Sequence, residues 1–254
     1  MKRFIFIAIM GALVFSSLFF YWQKSEPAPP PKINSRNSQP EIQAASDADS
    51  LAANALKPSV LLSVPFVSQA PFGLWAPPYN EACEETDLIM AMRWARGQTL
   101  TLDEAAREIV SLAVFENKIF GFNEDTNIEQ TARLLRDYYN YPNYEIKKDA
   151  LLGDVKKELN DGNVVILPVA GKLLNNPHFT PPGPDYHMIL IRGYDDNTRT
   201  FIANDPGTKF GDGYSYNFLT IDRAWHDWTG SKQTVLQGGR NMLVVKKSET
   251  LSDR

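Results

Sequence analysis

Cysteine is nearly missing from this chain: its 254 residues hold one, Cys83, beside three histidines. A lone cysteine closes no disulfide within the chain, and a four-ligand structural zinc site would consume it and every histidine. No metal and no cofactor is therefore expected, and Cys83 needs another explanation. An excess of positive charge is missing too, with 26 basic against 30 acidic side chains. A phosphate backbone is met by a basic stripe, so nucleic acid is not an expected partner.

Two further absences divide the chain. Residues 4–22, FIFIAIMGALVFSSLFFYW, contain no charged side chain, follow Lys2 and Arg3, and end on Tyr21 and Trp22. At a rise of about 1.5 Å per residue, such a run approaches the roughly 30 Å hydrocarbon core of a bilayer. A signal peptide has a shorter apolar stretch and a small-residue cleavage site, whereas Gln-Lys-Ser-Glu-Pro follows here. A single transmembrane signal-anchor helix within residues 1–22 is expected, with its basic end in the cytoplasm. The rest of the chain then lies outside, at the cell surface or in the periplasm, or is secreted if the segment is cleaved. Residues 23–57 lack any aromatic and include Pro27, Pro29, Pro30, Pro31 and Pro40. Too little apolar surface is available there to offset ordering entropy, so this stretch reads as a disordered linker.

What remains, 58–254, is long enough for one domain with a substantial core. Its first half has helical periodicity. Leu102, Ala105, Ala106, Ile109, Val110 and Ala113 share a face behind a Thr101/Glu104 capping box, and Ile128, Ala132, Leu135 and Tyr138 repeat the pattern behind Thr126 and Glu129. Val155 and Leu159 mark a shorter helix ending near Gly162. The second half changes period. Val164 to Val169 is a continuous apolar run, and residues 187–194 and 200–204 flank Asp195-Asp196-Asn197-Thr198 as a hairpin. A short helix around 221–228 and a strand over 242–245 follow. The expected class is α+β, a helical N-terminal half packed on a C-terminal antiparallel sheet.

Cys83 follows a Pro- and aromatic-rich loop and opens an apolar helix marked by Leu88, Ala91, Met92 and Ala95. A helix N-terminus favours thiolate over thiol, a means of activating a nucleophile. Glu84 and Glu85 oppose this, because neighbouring carboxylates raise a thiol pKa, and a cationic partner is needed. The alternative is that Cys83 is a small buried hydrophobe. His187 opens a strand, and the hairpin brings Asp205 within one position of it. A carboxylate there holds one imidazole nitrogen while the other faces the thiol. With the 195–198 turn, Asn204 shares the His187 face; a turn one residue longer puts Asp205 there instead. Asp205 is the favoured orienter and Asn204 the alternative. Gln69, on the loop leading to Cys83, is the candidate side-chain oxyanion donor beside the Cys83 backbone N–H.

The order Gln69, Cys83, His187, Asp205 resembles the papain-like cysteine peptidases. More closely, the chain is similar to the peptidase-like family related to the bacteriocin-processing, double-glycine leader peptidases. The likeness rests on Val64-Pro-Phe-Val-Ser-Gln69, Ala82-Cys-Glu-Glu85, Leu159-Asn-Asp-Gly162, His187-Met-Ile-Leu-Ile-Arg-Gly-Tyr-Asp-Asp196 and Asn204-Asp-Pro-Gly207. It implies a papain-like fold, with Cys83 as nucleophile, His187 as general base and then acid, Asp205 as orienter and Gln69 as oxyanion donor. Two departures stand out: Glu84 replaces a glycine, and the spacing from Gln69 to Cys83 is wider than papain-like enzymes usually show. No ABC-transporter segment lies within these residues, so a leader peptide is not carried over as substrate.

The expected function is that of a membrane-anchored, extracytoplasmic hydrolase that cleaves a peptide or amide bond in a peptide or protein substrate. The alternatives are an inactive peptide- or glycan-binding module on the same fold, and a cell-wall amidase or transglutaminase-like acyl transferase. The oligomeric state is left open. His178 reads as part of a surface loop, His226 as core or groove wall, and the tyrosine run 138–144 as aromatics packed at a helix end.

Overall fold

A computed structural model describes residues 56–247. The expected anchor helix and nearly all of the expected linker lie outside these residues. Among the described residues no helix is long and apolar enough to cross a membrane.

Helices come first. Helix α1 (Cys83–Ala95) is buried on all sides except at Arg93, and the acidic residues of its N-terminal end are buried with the apolar ones. Helix α2 (Leu102–Phe120) opens with the expected capping box, the Glu104 N–H donating to Thr101 and the Thr101 N–H to Glu104, and ends at left-handed Gly121. Helix α3 (Ile128–Asp137) begins one residue later than expected, capped by Asn127 with Gln130. Thr126 is not free to cap it: its N–H donates to Glu84 and its hydroxyl pairs with Thr131.

The second half, joined by one short strand that precedes α1, forms among the described residues a seven-stranded sheet in which every pairing is antiparallel. The strands are β1 (Ser59–Leu61), β2 (Tyr144–Lys147), β3 (Val164–Val169), β4 (His187–Asp195), β5 (Thr200–Asn204), β6 (Tyr214–Asn217) and β7 (Met242–Val245). Their order is β2-β7-β3-β4-β5-β6, and β1 pairs with the far half of β4. Strands β1, β2 and β6, only three or four residues long, were not foreseen. Helix α4 (Leu152–Asn160) matches expectation, and a single turn, α5 (Gly171–Leu174), follows β3. Helix α6 spans Phe218–Ala224 instead of 221–228. Asn217 caps it early by accepting the Leu219 N–H, and Trp225 leaves the helix to bridge to Val169.

The central strands are covered on both faces, and alternate residues feed two cores. Val164, Ile166, Met188 and Leu190 meet α1 to α3, while Val165, Leu167, Ile189 and Ile191 meet α4 and α6. Each such side chain, fully buried, contributes about 1.5–3 kcal/mol.

The β4-β5 hairpin differs from the expected register in a way that matters to the site. The strands stay paired through Asp195 and Thr200, and the loop is 196–199, with Arg199 in the left-handed region at φ 57°. The register then shifts between Ile191 and Gly193, so that Arg192 is the extra residue of a β-bulge. Its carbonyl accepts the Leu62 N–H and its guanidinium meets Asp212 at 2.9 Å. Beyond the bulge, Leu190 lies opposite Asn204. This places Asn204 on the α1 face and Asp205 on the face of His187.

Candidate active site

Cys83, the first residue of α1, is 5% exposed at the floor of a cavity of about 1170 Å³ that Gln69 and His187 also line. His187 begins β4, next to the end of β3, and is 3% exposed. Its Nε2 lies 2.8 Å from Oδ1 of the fully buried Asp205. Phe179 meets the ring edge-on, with centroids 5.5 Å apart. Gly207 closes the other side: a Cβ there would stand 3.0 Å from the imidazole and 2.9 Å from Phe179, so only glycine lets the ring settle.

Asp205 is held by donors on every side. Besides His187, the Gly207 N–H donates to Oδ1 at 2.9 Å, and the Tyr216 hydroxyl and the Asn176 amide donate to Oδ2. Burial alone would raise its pKa. The charge of His187 and these hydrogen bonds outweigh burial and hold the carboxyl below its usual value. Asn204 faces away. Its amide donates to the Pro65 carbonyl at 3.1 Å and its Oδ1 accepts the Gly213 N–H, so it ties β5 to the irregular segment before Gln69.

Gln69 is buried and lines the same cavity as Cys83. Its backbone N–H donates to the Pro206 carbonyl at 2.9 Å, and its Nε2 donates to the Tyr79 carbonyl at 2.9 Å. The wide interval between Gln69 and Cys83 is taken up by a loop and a single 3-10 turn at Tyr79–Glu81. That loop presents Phe72 and Trp75, both largely exposed, to the cavity. The lining also includes His178, whose ring lies 4.5 Å from that of Phe210 and is tilted 35° to it. His178 is thus cleft wall and not merely a surface loop residue. His226 contacts the Gly238 carbonyl in a structural role, and Tyr139 and Tyr141 are buried in the helical core.

The surroundings of Cys83 act against the thiolate that a helix end favours. Burial, then the charge of Glu84 and the hydrogen bond from Sγ to Glu84 Oε2 at 3.0 Å, push the Cys83 thiol well above its ordinary pKa. The Met188 N–H acts in the opposite sense but does not prevail. Helix-end stabilisation is about 0.3–1 kcal/mol, too little to offset desolvation of a buried anion beside a carboxylate.

The protein-family profile described as the Peptidase_C39-like family matches residues 61–233, an interval that contains all four of these residues. The chain belongs to this family. In three dimensions the C39-like chain is similar to a protein from Bacillus anthracis described as a C39-like peptidase, with a TM-score of 0.51 and 18% identity over 76% of this chain and 99% of that one. Xylellain, a cysteine protease from Xylella fastidiosa, aligns with a TM-score of 0.48 and 18% identity over 78% of this chain and 89% of its own. No curated protein sequence matches. The fold is the α+β, papain-like one, with helices preceding an antiparallel sheet.

Three residues of this C39-like site were not foreseen. Asn176 and Tyr216 lie 29 and 11 positions from Asp205, with no local motif to announce them. Asp125 lines the cleft, its carboxyl raised to about 6 chiefly by burial, with Lys232 pulling it down from 3.8 Å.

Proposed function

We propose that this C39-like chain is a hydrolase that cleaves peptide or amide bonds through an acyl-thioester on Cys83. The observation that carries this reading is the buried His187–Asp205 pair, opening on the same cleft as a cysteine at a helix N-terminus. Asp205 fixes the ring through Nε2 and leaves Nδ1 for the thiol proton. On substrate binding His187 accepts that proton, and Sγ attacks the carbonyl carbon. The oxyanion is received by the Cys83 N–H and the Gln69 amide. The imidazolium then protonates the leaving amine, and water, deprotonated by His187, releases the acid and restores the thiol. Exposed Phe72 and Trp75 on one wall and Phe210 on the other suit an extended peptide with bulky apolar side chains. Tethering to a membrane through residues 4–22, with this domain outside the cytoplasm, is part of the same proposal and rests on the sequence.

Turnover of peptide libraries by the parent protein, lost at least 1000-fold on Cys83→Ala, is the expected result. Full turnover by the alanine protein refutes the reading. The raised thiol favours one competing view, a peptide-binding module without turnover. That view requires saturable binding with no thiol-dependent product.

A further inference from the structure

Next to Cys83 lies a buried group that the proposed reaction leaves unused. Glu84 is 1% exposed and adjoins the nucleophile, yet its carboxylate is fully engaged. Oε2 accepts the Cys83 thiol at 3.0 Å, and Oε1 accepts the Thr126 N–H at 3.0 Å. Thr126 is itself fixed, its carbonyl receiving the Tyr186 hydroxyl at 2.8 Å just ahead of His187. A clamp thus runs from the loop before α3, through Glu84, to the sulfur.

We propose that Glu84 is a positioning residue that holds the Cys83 proton in the resting site and so sets the pH range over which the sulfur becomes a nucleophile. A thiol has one proton. While that proton is directed at Oε2 it is not shared with His187, so transfer to the imidazole begins by breaking the Glu84 hydrogen bond. The step conserves atoms: the proton passes from Sγ to Nδ1, and Glu84 keeps the Thr126 N–H.

The surroundings reinforce the clamp. From its own helix Glu85 and Asp87 are near, and from α2 comes Glu116. From the loop side comes Asp125, backed by Lys232, and the 3-10 turn before α1 adds Glu81. Tyr186 and His187 complete the ring from the start of β4. Carboxyls dominate this ring, so a second anion at sulfur is opposed from several directions. Burial, Glu85 and Asp125 also raise Glu84 itself, and the hydrogen bonds from Cys83 and Thr126 counter them.

The inference rests on Cys83 being the reactive group, and its test needs no substrate. The rate of alkylation of the full chain by iodoacetamide is followed against pH in the parent, Glu84→Gln and His187→Ala. The glutamine keeps an oxygen for Thr126 but turns an N–H donor toward sulfur. Its alkylation midpoint is expected to fall by about one pH unit or more, which is about tenfold in thiolate at neutral pH. A midpoint equal to the parent's, in a protein with unchanged circular dichroism, overturns the proposal. Should the glutamine protein not fold, Glu84→Asp withdraws the carboxylate by one methylene. It is expected to lower the midpoint by less, and no shift there also overturns the proposal. Hydrolysis is scored separately. A shifted midpoint with no turnover in any variant defeats the peptidase reading and leaves the role of Glu84 standing, whereas turnover with an unmoved midpoint does the reverse.

Discussion

Two buried carboxylates flank the His187–Cys83 region, Asp205 on the sheet side and Glu84 on the helix side, and their surroundings drive them in opposite directions. Both have lost nearly all solvent. Asp205 sits among a histidine, a tyrosine, an asparagine and a backbone N–H, and its carboxyl is lowered. Glu84 has one thiol and one backbone N–H and faces Glu85 and Asp125, and its carboxyl is raised. Burial is common to both, so the donor count and the sign of the neighbours decide the direction in which each carboxyl is driven. One half of the site is built to hold a negative charge and the other to oppose the addition of one at sulfur.

The largest break in that contrast comes from Asp205→Asn. It removes the charge that orients and stabilises the imidazolium, and kcat/KM on any identified peptide substrate is expected to fall by about 10³–10⁴ with the fold retained. A loss under tenfold returns the orienting role to another group. Tyr216→Phe sharpens the contrast by removing one donor. The lowered Asp205 carboxyl adds stability above its unfolded value near 4, stability that is lost as pH falls through the folded value. Without the Tyr216 donor that folded value rises, so the acid limb of a Tm-against-pH curve is expected to move up by about half a pH unit. The smallest effect lies one helix away. Glu116 is raised to about 8, mainly by burial, so its folded state keeps a proton that the unfolded chain releases near 4. Stability therefore declines as pH rises between about 4 and 8. Glu116→Gln is expected to remove that decline and to raise Tm at pH 9 by a few degrees, about 2–4 °C for each kcal/mol in a domain of this size.

The regular elements were legible where a single period ran long enough. The strands over 164–169 and 242–245, the capping box at Thr101 and the α4 helix all follow from local pattern. Strands β1, β2 and β6 were not legible, because three or four residues carry too little alternation and owe their conformation to a neighbouring edge. The start of α3 was misplaced because Thr126, a good cap by its chemistry, is committed to Glu84. At the site, Gln69, Cys83 and His187 line one cleft, and Asp205 lies buried against His187 through a register that the expected turn did not give. The balance of forces on the thiol was only partly legible. The helix end was legible, but full burial and Asp125 arise from tertiary packing. Glu84 and Glu85 were the local signs that the sulfur would resist ionisation.

The bulge at Arg192 has a consequence for how such a site changes over time. The hairpin carries an amide and a carboxylate on adjacent residues, Asn204 and Asp205, and only one of them can be turned toward the imidazole. Had the register at the turn run on unbroken, Asn204 would stand opposite Ile191, on the side of His187. Gly193 is part of what prevents this: a Cβ there would come within 2.4 Å of the Val60 carbonyl, so β1 can lie close enough to grip the bulged strand. A single residue of slack in one strand thus acts as a selector between two chemistries already encoded side by side, and exchanging them requires a shift of backbone with no new side chain.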